Sequence, residues 1–200
     1  MVEAMNLMGY DALALGASEL SESLEHLRAR MAEARFSVLS ANAFVESRLL
    51  AEPLRVFELG SLRVAVVGLT APEASSASVE VRDPIVAFRE QLDRVRGASL
   101  VVALSNLGPV AEKRLAEAVP SLDLIIGGGS FSPTNGVNYV GTVALVRAGG
   151  MGEYVGGTEV RFGSGGEKEY EFTSVLLGPE YPDDPEMTAL KTQYAEKYTW

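Results

Sequence analysis

The chain has 200 residues, 47% of them hydrophobic, which is enough to bury the core of one domain and excludes a disordered segment. Seventeen basic against twenty-seven acidic residues give a net charge of −10, so nucleic acid and anionic membrane surfaces, which need clustered Lys and Arg, are excluded as partners. The absence of cysteine rules out disulfides and thiolate metal sites, and the single histidine, His26, rules out an imidazole-rich metal centre built by this chain alone.

In chain order, residues 2–8 predict the end of a helix closed by Gly9, and residues 11–16 (DALALG) a short apolar strand. Leu20, Leu24, Leu27 and Met31 recur at helical spacing, which predicts an amphipathic helix over residues 19–34 with Ser18 or Ser21 as its N-cap. Residues 36–40 (FSVLS) form a second strand. Two apolar runs, 54–59 and 62–69, flank Gly60-Ser61, a hairpin signal. Asp83-Pro84, in cap-then-proline order, opens a helix continuing to about Arg96. A fully apolar strand at 99–104 precedes a helix at 110–118. A buried strand at 122–126 then runs into the loop of Gly127, Gly128, Gly129 and Ser130.

From Val137 the pattern becomes alternating runs around glycine-rich turns, of which Gly163 to Gly166 is the clearest, and predicts antiparallel strands without helices. Pro179, Pro182 and Pro185 make a stiff connector to an isolated C-terminal helix over residues 186–200. The division is therefore 1–178 as a domain and 179–200 as connector plus helix. The N-terminus lacks the basic region and continuous apolar core of a signal peptide, and no apolar run is long enough to span a bilayer.

Several of these segments resemble, in order, the metallophosphoesterase (calcineurin-like) domain of the 5′-nucleotidase group. MNLMGYDALALGASEL at Met5 to Leu20 is similar to the stretch that ends in Gly-Asn-His-Glu-Phe in that family. FSVLSAN resembles its Ser-Ala-Asn turn, SLRVAVVGLTAPE its following strand, and VVALSNLG its Leu-Ser-His-Leu-Gly. LDLIIGGGSFSP is similar to Ile-Ile-Gly-Gly-His-Ser-His-Thr, and VRAGG to a closing Gln-Ala-Gly strand. The resemblance implies an α/β (α+β) fold, a four-layer β-sandwich flanked by helices, and metal-dependent phosphoester hydrolysis. It also carries an expectation of export to the periplasm or cell exterior.

Position by position, the functional residues of that family are replaced. Its metal-binding Asn and transition-state His fall on Ala17 and Ser18, and only Glu19 persists. Its metal-binding His after the Leu-Ser strand is Asn106, and its Gly-His-Ser-His pair falls on Gly129 and Phe131. The Asp-x-His and Gly-Asp motifs of the family would precede Met1, which makes the fold N-terminally incomplete. Without those central strands, DALALG and FSVLS are expected to lack neighbours and to require another polypeptide chain or a second copy to complete the sheet.

The expected function is a non-catalytic structural or protein-interaction module without metal or other cofactor. Two alternatives stand beside it: a phosphoesterase completed by a missing N-terminal portion, and a nucleotide- or phosphate-binding module that does not hydrolyse. For the last, Gly127, Gly128, Gly129 and Ser130 are the candidate phosphate loop, although no Lys accompanies them. Ser18 and Ser105 have no histidine to activate them, and Asp11, Asp83 and Asp123 read as caps and strand-edge residues. Tyr194, Tyr198 and Trp200 form an aromatic edge on the last helix, either docked on its own domain or gripping a partner.

Overall fold

A computed structural model describes residues 1–128 and 133–197. The chain opens with α1 (Val2–Leu7), β1 (Ala12–Ala14), α2 (Ala17–Leu20), α3 (Leu24–Glu33) and β2 (Ser37–Leu39). Next come β3 (Ala43–Val45), β4 (Arg48–Leu49), β5 (Leu54–Leu59), β6 (Leu62–Leu69) and β7 (Glu80–Val81). The middle holds α4 (Pro84–Arg89), α5 (Leu92–Val95), β8 (Leu100–Ser105), α6 (Pro109–Ala118) and β9 (Leu124–Gly127). The remainder is β10 (Asn138–Val140), β11 (Val143–Val146), β12 (Tyr154–Phe162), β13 (Lys168–Leu176) and α7 (Pro185–Lys197).

The centre is a six-stranded sheet of order β10-β11-β9-β8-β6-β5. Its four inner strands are parallel, and β10 and β5 run antiparallel at the two edges. Inner strands of this kind need apolar residues on both faces, and β8 (LVVALS) supplies them. Alternation then sorts the side chains. Val67, Ala103 and Ile125 pack under α4, α5 and α6 through Phe88, Val95 and Leu115. Val66, Val102 and Leu124 face the opposite way, toward Leu39 of β2 and Val160, Tyr170 and Phe172 of the β12–β13 hairpin. A third cluster joins Leu27 and Met31 of α3 to Val38 and Ala43. The result is a β-sandwich flanked by helices, with the second strand layer made of two separate pairs, β1–β2 and β12–β13.

The β5–β6 hairpin forms around Gly60-Ser61 as expected, with Leu59 opposite Leu62 and Gly60 at φ 63°. Other expectations are corrected. The helix over 19–34 is two helices. The Glu19 carboxylate accepts the Gly16 N–H at 2.8 Å and closes α2 as a single turn. Ser23, not Ser18 or Ser21, caps α3 by accepting the His26 N–H at 3.2 Å. The helix opened by Asp83 also breaks. The Asp83 carboxylate accepts the N–H groups of Ile85 and Val86. The chain then tightens at Gln91, whose N–H reaches the Phe88 carbonyl at 2.9 Å. Phe88 before this turn and Val95 after it are both buried.

The second half is not wholly an antiparallel meander. β11 pairs parallel with β9 and extends the central sheet, because its apolar run Val143–Val146 is buried there. DALALG and FSVLS are not without neighbours: β1 and β2 pair parallel with each other, and Leu39 of β2 is bridged to Glu52. The C-terminal helix is not isolated either, since the Tyr194 hydroxyl donates to Glu3 Oε2 on α1 at 2.9 Å. Among the described residues no helix is long and apolar enough to cross a membrane.

Candidate functional site

The C-terminal ends of β8 and β9 and the turn after β1 converge on one groove of about 840 Å³. Ligand sites of open α/β sheets lie at this end of the strands. The groove brings together Ala17, Ser18, Glu19, Asn106, Gly127 and Gly128, most of the positions singled out in the sequence. Gly129, Ser130 and Phe131 lie outside the described residues, as do Tyr198 and Trp200. Tyr194, on α7, does not line the groove.

Gly16 is the focus of the cluster. A Cβ there would lie 3.0 Å from Glu19 Oε2 and 3.1 Å from the Asn106 amide, so both side chains crowd onto a position only glycine leaves open. Glu19 is already committed to the Gly16 N–H. The Gly128 N–H donates to the Ser105 carbonyl at 2.6 Å and is therefore taken up by the backbone. His26 sits exposed on α3, away from the groove lining.

The donor chemistry does not fit the two-metal centre that the resemblance implies. Glu19 contributes one carboxylate and Asn106 one amide, both hard oxygen donors, where such a centre uses imidazoles and bridging carboxylates. Among the described residues no group of three His, Cys, Asp or Glu side chains converges anywhere.

Sequence reading missed the ion pair beneath the groove floor. Glu112 on α6, 1% exposed, bonds Arg147 just after β11, and both press on Gly127, where a Cβ would meet each of them at 2.7 Å. Burial pushes the Glu112 carboxyl above its ordinary range, and the Arg147 charge only partly opposes this. Among the described residues Glu112 Oε1 and Arg147 Nε find no hydrogen-bond partner. A signal was present: Glu112, Leu115, Ala116 and Val119 share an i, i+3, i+4, i+7 stripe, which puts the acid on the buried face. A second buried network ties the groove wall together. Thr70 Oγ1 donates to the Leu15 carbonyl at 2.9 Å, and the Asn42 amide donates to the Thr70 carbonyl at 2.7 Å.

A β-sandwich between helices, with a groove at the strand ends of its parallel sheet, is the architecture of the calcineurin-like phosphoesterases. No family model matches the chain. It is 28% identical to the 5′-nucleotidase of Bos taurus over 92% of its own length and 38% of that protein. It superposes on the 5′-nucleotidase precursor of Thermus thermophilus with a TM-score of 0.84 and 28% identity, covering 96% of this chain and 44% of that one. Against the calcineurin-like phosphoesterase YfkN of Bacillus subtilis the TM-score is 0.77 at 18% identity, covering 98% of this chain and 72% of the other, a likeness of fold alone. The relatives of this chain are thus 5′-nucleotidases, and it spans about two fifths of the length of the curated relative it matches.

Proposed function

We propose that these 200 residues form a non-catalytic domain of 5′-nucleotidase type, retained as a structural or protein-interaction module. One observation carries the reading: the groove positions that bear ligand and transition-state groups in the resembling family hold Ala17, Ser18 and Asn106 here. The one carboxylate present, Glu19, is taken up by the backbone of its own turn. Phosphoester hydrolysis needs an activated water and a clamp for developing negative charge, and Ala17 and Ser18 supply neither. The same reading makes the partner another polypeptide chain or a second copy, met by the domain of residues 1–178 with the C-terminal helix as a second contact. Export is proposed on resemblance, since the Thermus protein is a 5′-nucleotidase precursor.

The test is phosphate release from nucleoside monophosphates and aryl phosphates by the purified chain with added manganese or zinc. The expected rate is that of buffer. Turnover that survives repurification and is lost in Glu19→Ala or Asn106→Ala would replace this reading with that of a working phosphoesterase.

A further inference from the structure

Ahead of β10 the chain runs Thr134-Asn135-Gly136-Val137, and this is the one Asn-Gly pair in the sequence. Gly136 lies at φ 80°, a backbone conformation that residues with a Cβ rarely adopt, so the bend calls for glycine there. The same glycine leaves the peptide nitrogen that follows Asn135 bare, since a Cβ at Gly136 would have nothing within 4 Å. Asn135 is exposed, and among the described residues neither its amide nor the Gly136 N–H holds a hydrogen bond. The other four asparagines differ. Asn6 donates to the Glu33 carbonyl and accepts the Arg35 N–H. Asn42 is fully buried and donates to the carbonyls of Thr70 and Arg82. Asn106 is followed by Leu107, whose N–H donates to Ser105 Oγ, and Asn138 by Tyr139 within β10.

We propose that Asn135 is a site of spontaneous covalent modification, deamidation through a cyclic imide formed with its own backbone. Once the Gly136 N–H loses its proton to hydroxide, the nitrogen attacks Asn135 Cγ. The N–Cγ bond forms, the Cγ–Nδ2 bond breaks, and the departing nitrogen takes a proton from water and leaves as ammonia. Water then opens the imide ring at one of its carbonyls. Opening at Cγ gives aspartate. Opening at the backbone carbonyl of Asn135 gives isoaspartate, with the chain rerouted through Cβ and Cγ. The balance is asparagine and water to acid and ammonia, with no change of oxidation state. The consequence falls on the residues either side. The Thr134 N–H donates to the Arg147 carbonyl at 2.9 Å, and its hydroxyl accepts the Arg147 N–H at 3.1 Å. Val137 packs against the core on one face of the central sheet. Isoaspartate lengthens the backbone between these anchors by a methylene. It therefore loosens the clamp on Arg147, the residue that pairs with Glu112 beneath Gly127.

The test incubates the purified chain at mildly alkaline pH beside a free peptide of residues 133–139, and follows residue 135 by peptide mass spectrometry. The expected result is a gain of about 1 Da at Asn135 alone, with isoaspartate, which only the imide route makes, among the products. Its rate should lie within about tenfold of the free peptide, because an exposed bend needs little local opening. It should also rise with pH, since the attacking nitrogen must lose its proton. Asn135→Gln, whose longer side chain closes the ring poorly, should hold its mass. Hydrogen exchange reads the consequence. In the isoaspartate form, separated by ion exchange, the Thr134 and Arg147 amides should exchange at least about tenfold faster than in fresh protein. Asn135→Asp adds the charge without the methylene and should match fresh protein. Conversion more than about tenfold slower than in the peptide overturns the site. Aspartate without isoaspartate overturns it too, as does faster conversion at Asn6, Asn106 or Asn138. Equal exchange in the isoaspartate form and fresh protein, or equal loosening in Asn135→Asp, overturns the consequence. No readout involves turnover, so the outcome stands apart from the phosphate assay.

Discussion

Removing Arg147 leaves the Glu112 carboxylate buried at 1% exposure without the guanidinium that pairs with it. Breaking a buried pair from one side costs about 3–5 kcal/mol, a large share of a domain's net stability of about 5–15 kcal/mol. Arg147→Met keeps most of the side-chain stem and so isolates the charge. Urea unfolding at neutral pH should show that loss at an unchanged slope. Among the described residues Glu112 Oε1 and Arg147 Nε are unsatisfied, so Glu112→Leu/Arg147→Met together should return to wild-type stability or exceed it by about 1–4 kcal/mol.

The pH dependence follows the same sign. The folded Glu112 carboxyl is raised by burial. Its favourable contribution is therefore complete below the unfolded carboxylate pKa and is lost as pH rises through the folded value. Arg147→Met removes the charge that partly restrains this rise, so the variant's deficit should shrink on acidification from neutral pH. Additive single and double variants, or a deficit that grows on acidification, would refute the reasoning.

Gly68→Ala, one residue before the end of β6, puts a Cβ 2.6 Å from the Leu39 backbone, and should cost about 2–3 kcal/mol in a thermal or urea melt. Asp83→Ala removes the acceptor for the Ile85 and Val86 N–H groups at the start of α4, for a loss of about 1 kcal/mol by the same melt. Gly16→Ala sets a Cβ 3.0 Å from Glu19 and 3.1 Å from Asn106, so hydrogen exchange at α2 should quicken as the Glu19 cap is displaced.

Elements marked by local chemistry were legible in the sequence. The Gly60-Ser61 hairpin and the Asp83-Pro84 cap each rest on a pair of adjacent residues, and each forms where its signal lies. The breaks in the helices were not legible, because Leu20, Leu24, Leu27 and Met31 keep one spacing across Ser21 to Ser23. Which serine captures an N–H is decided only when Glu19 closes the first turn onto Gly16. The parallel pairing of β11 was written in its apolar run but was hidden by the glycine turns around it, which suggest hairpins. The groove was legible as a set of positions, since Ala17 to Glu19, Asn106 and Gly127-Gly128 do meet there. The Glu112–Arg147 pair beneath it joins two elements 35 residues apart, a distance no local pattern spans.

Metal stoichiometry of the purified 200-residue chain, after equilibration with manganese and zinc and removal of free ion, tests the proposed non-catalytic reading most directly. With one carboxylate and one amide at Gly16 in place of an imidazole-bearing centre, the expected result is far less than one transition metal per chain. About one or two metals per chain, as a working two-metal centre would hold, released by chelation and absent from Glu19→Ala or Asn106→Ala, would contradict it.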